Sequence, residues 1–353
     1  MTRRSTGRIQ VARSLWYVRT GAVEIRQAPL PPLTPDKVQV RAHFTGVSRG
    51  TERLILNGLV PPHEHQRMRA PLQEGDFPFP VKYGYCATGV VEAGPKELMG
   101  RAVFCLHPHQ DVFQVPLAMA VPLPDGVSPR RATLTANMET ALNALWDSGA
   151  GTADRIVVVG AGIVGLLVAY LAARLPGAEV TVIDPVVARK ALVERLGATY
   201  ASPSPAQHAV AQAAAPHPDP LLPEVGGEGI GADVVFHTSA SEAGLATAIA
   251  SAGMEATIVE MSWYGDKRVS VPLGGPFHSQ RLRLISSQVG QVSAGRRPRW
   301  DYRRRVEAAL ALLRDPVLDE LLTSEIAFDE APAKLPGLLA PDAPGLAPVI
   351  RYG

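Results

Sequence analysis

The residues with the most specific chemical pattern lie in the stretch RIVVVGAGIVGLLVAYLAARLPGAEVTVIDP, residues 155–185. Its order predicts a buried strand, a glycine turn, an apolar helix and a second strand that ends at Asp184. Gly160 permits a tight turn, Gly162 lets the backbone approach a pyrophosphate, and Gly165 allows the helix to pack closely on the strand. A glycine motif alone could mark an ordinary turn, but here the second strand and its terminal acid follow in order. The predicted dinucleotide contacts are Gly160, Gly162, Ile163, Val164, Gly165 and Asp184.

Asp184 also bears on which dinucleotide binds. Its carboxylate can accept hydrogen bonds from the adenosine ribose hydroxyls, whereas a 2'-phosphate would meet a like charge. The sequence therefore predicts NAD(H) in preference to NADP(H). Arg189 and Lys190 follow closely enough to soften that preference, although we favour the alternative that they lie on a solvated helix face.

The segments around this motif predict an α/β protein of two domains with a C-terminal return. Residues 14–124 are rich in short strand patterns such as KVQVRAHF, separated by Pro and Gly turns. Alternating strand and helix patterns follow, as in a Rossmann doubly wound parallel sheet. The predicted boundaries are 1–130 for the β-rich domain, 131–295 for the dinucleotide domain and 296–353 for the segment that returns to the first.

One segment fits this scheme poorly. SPSPAQHAVAQAAAPHPDPLLPEVGGEGIG, residues 202–231, is rich in proline where a compact crossover helix is expected. We predict a short helix near 206–215 followed by a mobile loop, and we favour a tolerated surface insertion over a binding role.

Composition excludes several classes of function. The chain has 353 residues, 46% hydrophobic and 19% charged, with a formal net charge of +2, which gives no sign of a nucleic-acid or membrane partner. The basic stretch RRPRWDYRRR, residues 296–305, is explained by the exposed face of a helix. Four arginines among the first 13 residues could belong to a transit sequence, but a solvated tail is favoured. Two cysteines allow neither a disulfide framework nor a four-thiolate zinc lobe, as expected in a reducing cytoplasm.

The order of these segments resembles the medium-chain dehydrogenase/reductase superfamily, the alcohol-dehydrogenase-like enzymes, over nearly the whole chain. The resemblance implies a GroES-like β-rich catalytic domain beside the Rossmann domain, and a cytoplasmic homodimer. In the zinc members, a Gly-Ile-Cys-His type motif and a Gly-His-Glu motif provide metal ligands. Here Ser48 in TGVSRGTE and Tyr85 in GYC stand at those positions, TANMETA offers neither Cys nor His for the third, and the four-cysteine lobe after RAVFCLHPH is missing.

Hydroxyl groups are poor zinc ligands, so we expect no zinc site. The segment GVSRGTERLILNGLVP is similar to a zinc-free subgroup that includes bacteriochlorophyllide a dehydrogenase. That similarity is one segment long and implies no particular substrate.

Without a metal, hydrogen-bond donors and a proton relay must stabilise charge on a substrate oxygen. The resemblance places Ser48 and Tyr85 where nicotinamide and substrate meet, and Tyr85 is the first candidate to contact the substrate, with a buried structural tyrosine as an equal alternative. His107 and His109 in LHPHQD could relay a proton, although ordinary loop histidines are favoured over both a relay and a metal site. Arg49 and Glu52 could form an ion pair that fixes the loop, which is favoured over contact with substrate.

Three serines are weaker cofactor candidates. Ser239 follows a strand-like run, and Ser262 in VEMSWYG and Ser287 in ISSQVG follow two more. The resemblance implies that these segments pass the nicotinamide. The predicted function is therefore a zinc-independent, NAD-linked oxidoreductase that acts on a small alcohol or carbonyl compound. The alternative is a dinucleotide-binding sensor or scaffold that has lost catalysis.

Overall fold

The computed structural model describes residues 10–203 and 231–353. They form two compact units: unit 1 contains residues 10–136 and 306–353, and unit 2 contains residues 137–203 and 231–305. The sequence placed these boundaries at 130/131 and 295/296, so unit 2 begins and ends later along the chain than expected. Most of the predicted N-terminal tail and the whole helix predicted near 206–215 lie outside the described residues.

Strands are distributed along nearly the whole described chain. In chain order they are β1 (Val11–Arg19), β2 (Ala22–Pro29), β3 (Lys37–Gly46), β4 (Glu74–Gly75), β5 (Val81–Lys82), β6 (Ala87–Ala93), β7 (Ala102–Cys105), β8 (Val112–Pro116), β9 (Val121–Pro122), β10 (Arg155–Val159), β11 (Glu179–Ile183), β12 (Thr199–Ala201), β13 (Ala232–His237), β14 (Ala252–Glu260), β15 (Arg283–Ser286), β16 (Ser324–Ala327) and β17 (Pro348–Arg351).

The described α-helices are α1 (Arg49–Leu56), α2 (Pro129–Ala132), α3 (Thr135–Ser148), α4 (Ile163–Ala172), α5 (Lys190–Arg195), α6 (Glu242–Ser251), α7 (Pro276–Ser279), α8 (Tyr302–Leu312) and α9 (Ala331–Leu338). Short 3-10 turns occupy Pro62–Glu64, Leu117–Met119, Val187–Arg189, Pro316–Leu321 and Phe328–Glu330. None of the helices in the described ranges is long and apolar enough to cross a membrane.

Unit 1 is built from two sheets. One has the strand order β2-β1-β5-β4, and the other has the order β16-β17-β3-β6-β7-β9, with β8 also paired to β3. Strand β3 has buried side chains on one face and more exposed ones on the other: Val38 and Val40 are fully buried, and Arg41 is exposed. The C-terminal β17 pairs antiparallel with β3, which is how the end of the chain joins the first unit.

Unit 2 is a six-stranded parallel sheet in the order β12-β11-β10-β13-β14-β15. Its strands read as apolar runs because helices cover them, and Val158, Val182 and Ile258 are fully buried. The strand order reverses between β10 and β13, and the carboxyl ends of both strands lie at one edge. In open parallel sheets, ligands bind at this edge beside such a reversal.

Candidate functional site

The glycine turn after β10 has the geometry that the sequence predicts. Gly160 has a φ of +108°, and a β-carbon on Gly165 would overlap the carbonyl oxygen of Gly160. A β-carbon on Gly162 would meet nothing within 4 Å, so its backbone faces open space. Helix α4 begins directly after Gly162, and Ile163 and Val164 form its first turn. Packing therefore requires the first and third glycines, and the second leaves room for a pyrophosphate to approach the backbone.

Asp184 follows the last residue of β11 and is 3% exposed. Its Oδ2 accepts the backbone N–H of Ala161 at 2.7 Å, and its Oδ1 accepts that of Val186 at 2.8 Å. The first of these bonds ties the carboxylate to the glycine turn. Asp184 thus ties the end of β11 to the glycine turn after β10, and its contact with a ribose stays a prediction.

Arg189 does not lie on a solvated helix face, and that expectation was wrong. Its Nη1 lies 2.9 Å from Asp184 Oδ2, and its side chain is 27% exposed. The 3-10 turn that contains Arg189 directs it back to the strand end, which the spacing alone did not indicate. Lys190 is different: its ammonium pairs loosely with Glu194 at 3.8 Å, and the side chain is 57% exposed.

The three serine candidates follow neighbouring strands of the same sheet. Ser239 lies beyond β13, and a β-carbon on Gly160 would be 3.0 Å from its backbone nitrogen. Ser262 lies beyond β14, and Ser287 directly follows β15 and donates its hydroxyl hydrogen to Asp147 Oδ2 at 2.7 Å. All three therefore follow the carboxyl ends of strands at one edge of the sheet, and their contact with a nicotinamide stays a prediction.

In unit 1, Ser48 and Tyr85 are close together. Ser48 directly precedes α1, and the partly buried Tyr85 lies between β5 and β6. The Tyr85 hydroxyl is within hydrogen-bonding reach of the side chains of Ser48 and Thr51. Burial, together with Cys86, raises the pKa of Tyr85 well above that of a free tyrosine. Tyr85 therefore keeps its proton over the whole physiological range and can act as a hydrogen-bond donor.

Glu52 is the central residue of a buried network of polar side chains next to the hydroxyl groups of Ser48 and Tyr85. Its Oε2 accepts the Tyr17 hydroxyl at 2.6 Å and lies 3.0 Å from His109 Nε2, while its Oε1 accepts the Ser48 backbone N–H at 2.7 Å. Glu52 and His109 are both fully buried. The carboxylate therefore fixes the start of α1, and with it Ser48.

The network continues from His109 into the C-terminal segment. His109 Nδ1 lies 2.7 Å from Thr45 Oγ1, which lies 3.1 Å from the Tyr352 hydroxyl. Tyr17, Thr45 and Tyr352 are functional candidates that the sequence analysis missed. Their positions in the chain are far apart, so no local pattern connects them.

His107 has different partners. Its ring stacks on Phe113 with 4.0 Å between ring centroids, and its Nδ1 donates to the carbonyl oxygen of Pro108 at 2.8 Å. Burial, with Lys82 nearby, lowers the pKa of His107 to about 3. At neutral pH this ring is uncharged and held by packing, whereas His109 is the histidine connected to Glu52.

Arg49, which we expected to pair with Glu52, binds the C-terminal segment. Its guanidinium donates to the carbonyl oxygens of Gly345 at 2.6 Å and Ala343 at 2.7 Å. Arg49 thereby connects the first turn of α1 to the C-terminal segment.

Comparison with known proteins agrees with this architecture. The family described as zinc-binding dehydrogenase matches residues 164–310. D-guloside 3-dehydrogenase of Escherichia coli K12 is 24% identical over 218 residues, which is 60% of this chain and 58% of that protein, so the match spans less than two thirds of the relative.

Solved structures cover more of the chain. One, from Sinorhizobium meliloti 1021, is assigned as a zinc-binding dehydrogenase and has NADP bound; it is 18% identical, with a TM-score of 0.72 over 97% of this chain and 99% of that one. An alcohol dehydrogenase from Escherichia coli CFT073 complexed with NADH is 16% identical, with the same TM-score and the same coverage. Residues 164–310 thus match the zinc-binding dehydrogenase family, and the chain shares the fold of these dehydrogenase structures. The predicted fold class, a Rossmann sheet with a β-rich domain, is confirmed.

At the positions that the resemblance assigns to zinc ligands, the chain has Ser48, Tyr85 and the segment TANMETA. Within residues 10–203 and 231–353, no group of three or more His, Cys, Asp or Glu side chains is placed to bind a metal. Glu139, the acid in TANMETA, is 3.0 Å from Arg305 Nε, and both side chains are 4% exposed. Arg305 is thus a buried partner of α3, which corrects the expectation that a solvated helix face explains the whole basic stretch.

Proposed function

We propose that this protein is a medium-chain dehydrogenase/reductase that transfers a hydride between a nicotinamide cofactor and a small alcohol or carbonyl compound without zinc. The observation that carries the proposal is the neutral Tyr85 hydroxyl, held beside Ser48 and Thr51. The glycine turn and Asp184 support dinucleotide binding, and structural relatives are complexed with NADP and NADH.

The nicotinamide supplies or accepts the hydride when it is bound. When a carbonyl compound is reduced, negative charge develops on its oxygen, and an O–H donor aimed at that oxygen lowers the barrier. Tyr85 provides this donor, and its raised pKa keeps the proton on the tyrosine until charge has developed. Ser48 and Thr51 hold the phenol oxygen, so that its hydrogen is free to point toward substrate.

Glu52 acts on this donor through the backbone. It accepts the Ser48 N–H and so fixes the residue that directly precedes α1, whose first turn contains Thr51. His109 and Tyr17 hold the carboxylate in turn. We therefore propose Glu52 and His109 as positioning residues for the Ser48 and Tyr85 hydroxyls.

NAD(H) is the proposed cofactor, with a modest preference over NADP(H). Asp184 carries the negative charge that disfavours a 2'-phosphate, but Arg189 at 2.9 Å offsets part of it. A small-molecule substrate and a homodimeric assembly are also part of the proposal.

The test is turnover of NADH by purified protein with a panel of ketones, aldehydes and quinones. Tyr85→Phe keeps the ring and removes only the donor, so kcat should fall about a hundredfold, which corresponds to roughly 3 kcal/mol, while NADH affinity is unchanged. Normal turnover by Tyr85→Phe would assign the tyrosine to packing alone. If the wild-type protein binds NADH but turns over none of the panel, the chain is instead a dinucleotide-binding sensor or scaffold.

A further inference from the structure

A second cluster of reactive side chains lies in unit 2. It includes Ser239, a predicted nicotinamide contact, but the proposed hydride transfer assigns no chemical step to it. His237 is the last residue of β13 and Glu260 is the last residue of the neighbouring parallel strand β14, and the two are register partners. Ser239 follows His237 by two residues and enters the turn before α6. Pairing of the strand ends therefore brings a hydroxyl, an imidazole and a carboxylate together.

These three groups form a continuous hydrogen-bonded series. Ser239 Oγ lies 2.7 Å from His237 Nε2, and His237 Nδ1 lies 2.7 Å from Glu260 Oε2. Because the carboxylate accepts, Nδ1 carries the proton and Nε2 presents a lone pair to the serine. This is the arrangement of nucleophile, general base and orienting acid that activates a hydroxyl group.

Glu260 is fixed and ionised. Its Oε1 accepts the backbone N–H of Ser262 at 2.8 Å, and its Oε2 also accepts the Tyr264 hydroxyl at 3.2 Å. Burial alone would raise the pKa of Glu260, but the bonds from His237 and Ser262 outweigh that effect and leave its pKa below the ordinary value. The acid is thus held in the state that orients an imidazole.

Ser239 is exposed, whereas His237 is fully buried, so the base is shielded and the hydroxyl-bearing residue is accessible. The chain here runs from strand to turn to helix, and Ala240 has a φ of +52°, an uncommon value for a residue with a side chain. A serine between a strand and a helix is also a feature of the nucleophile elbow, but here the left-handed residue is Ala240, directly after the serine. Ser241 Oγ, 2.9 Å from Ser239 Oγ, is the other polar partner and caps α6.

Gly244 allows α6 to approach this serine. A β-carbon at position 244 would overlap Ser239 Oγ and lie 2.8 Å from His237 Nε2. The first turn of the helix therefore closes directly on the pair. A residue larger than glycine there would displace the serine hydroxyl from the imidazole.

We propose that Ser239 is an activated nucleophile that accepts the acyl group of small carboxylic esters. Its Oγ forms a bond to the ester carbonyl carbon while its proton passes to His237 Nε2, and the C–O bond to the leaving alcohol breaks as His237 returns the proton to that oxygen. Water oxygen then bonds to the acyl carbon while a water proton passes to His237 Nε2, and the bond from the acyl carbon to Ser239 Oγ breaks as His237 returns that proton to Oγ, which releases the carboxylic acid. The reaction consumes one water and involves no oxidation or reduction.

The experiment treats the full-length protein with a fluorophosphonate probe and locates the adduct by peptide mass spectrometry. Attack by Ser239 Oγ on phosphorus expels fluoride, so the expected product is a phosphonylated Ser239. His237→Gln should slow labelling about a hundredfold and Glu260→Gln about tenfold or more, in line with the usual contribution of a general base and its orienting group. 4-Nitrophenyl acetate should be hydrolysed with the same ranking of variants.

The controls separate an activated serine from a merely exposed one. Ser239→Ala should lose the adduct, and Ser270→Ala, which removes another exposed serine, should label at the wild-type rate. Circular dichroism confirms that each variant is folded. Absence of an adduct on Ser239 in the wild-type protein overturns the proposal, and so does a folded His237→Gln that reacts as fast as wild type. Neither result depends on whether the protein transfers hydride.

Discussion

At the scale of single residues, the ion pair between Arg189 and Asp184 most changes the cofactor preference that the sequence predicts. Asp184 was expected to disfavour NADP(H) by its charge, yet the guanidinium of Arg189 lies against the same oxygen that accepts the Ala161 N–H. A 2'-phosphate arriving there would meet a cation as well as an anion. We therefore expect the preference between NAD(H) and NADP(H) to depend on the balance of these two side chains.

This balance predicts opposite effects for two variants. Arg189→Ala removes the cation, so the preference for NADH over NADPH should increase by about tenfold or more, because a charge-assisted bond to phosphate contributes roughly 1.5–3 kcal/mol. Asp184→Asn should decrease the preference. Fluorescence titration with both cofactors measures the two ratios, with Lys190→Ala as the control on the neighbouring exposed cation. Equal ratios in wild type and Arg189→Ala would show that Arg189 does not face the ribose.

His107 predicts a loss of stability in mild acid. Its folded pKa is about 3, and an unfolded histidine titrates near about 6.5, so between these values only the unfolded state takes up the proton. Stability therefore falls as pH decreases below about 6.5, and this residue should account for about 2 kcal/mol between pH 7 and pH 5.

His107→Asn offers a way to check that value. The asparagine amide can replace Nδ1 as donor to the Pro108 carbonyl oxygen but does not titrate. Urea denaturation at both pH values should show that the variant loses about 2 kcal/mol less than wild type between them. His63→Asn, at an exposed histidine, should leave the pH dependence unchanged. The same loss in wild type and His107→Asn would contradict the buried, neutral state of His107.

The residues that could be found from sequence are those whose partners are local. Gly160, Gly165 and Asp184 lie within one strand-helix-strand unit, so spacing alone predicts their task. Glu52 was recognised as a neighbour of Ser48, but its partners Tyr17 and His109 come from distant strands and turns. Only the pairing of strands in three dimensions could identify that network.

At the scale of elements, the contact between β10 and α4 determines whether the dinucleotide turn can form. A β-carbon on Gly165 would overlap the Gly160 carbonyl oxygen and crowd Thr238 Oγ1. Gly165→Ala should therefore destabilise the fold by about 1–3 kcal/mol and abolish NADH binding, because the helix must move away from the turn. Thermal denaturation and NADH fluorescence measure the two effects.

Gly274→Ala is the matched control for that substitution. A β-carbon there would meet nothing within 4 Å, and its backbone is outside the left-handed region. It should bind NADH as wild type does. If Gly165→Ala also bound NADH normally, close packing of α4 would not be a requirement of the site.

The positions of strands and helices were easier to predict than the pairing and register of the strands. The apolar runs of β10 and β11 and the alternating β3 are evident in the sequence because each obeys one periodicity. The register of His237 with Glu260 is not evident, since it depends on where β13 and β14 begin relative to one another. The sequence analysis consequently identified only Ser239 of this cluster, as a cofactor candidate, and did not identify its partners His237 and Glu260.

At the scale of the whole molecule, the two units differ in where their strands end and in what lies beside those ends. In unit 1 the C-terminal strand β17 pairs with β3. Arg49 binds the carbonyl oxygens of Ala343 and Gly345 before this strand, and the Tyr352 hydroxyl after it lies 3.1 Å from Thr45 Oγ1. In unit 2 every parallel strand ends at the same edge, so the loops that follow them collect polar groups. Within unit 1 the Ser48 and Tyr85 hydroxyls lie close together, and within unit 2 the glycine turn lies at the end of β10.

The same view of the molecule leads to an expectation about zinc. Two of the three positions that the superfamily resemblance assigns to ligands carry the hydroxyls of Ser48 and Tyr85, and the acid in the third segment, Glu139, already pairs with the buried Arg305. Thiolate, imidazole and carboxylate groups bind zinc far better than alcohol hydroxyls do. Elemental analysis of the purified protein should therefore give well below one zinc per chain, and a chelator should leave turnover unchanged. Tyr85→His is the companion variant. It introduces one zinc ligand without the other two, so it should neither bind zinc nor recover the turnover that is lost with the tyrosine hydroxyl. One tightly held zinc per wild-type chain would instead mean that ligands outside these three positions hold the metal.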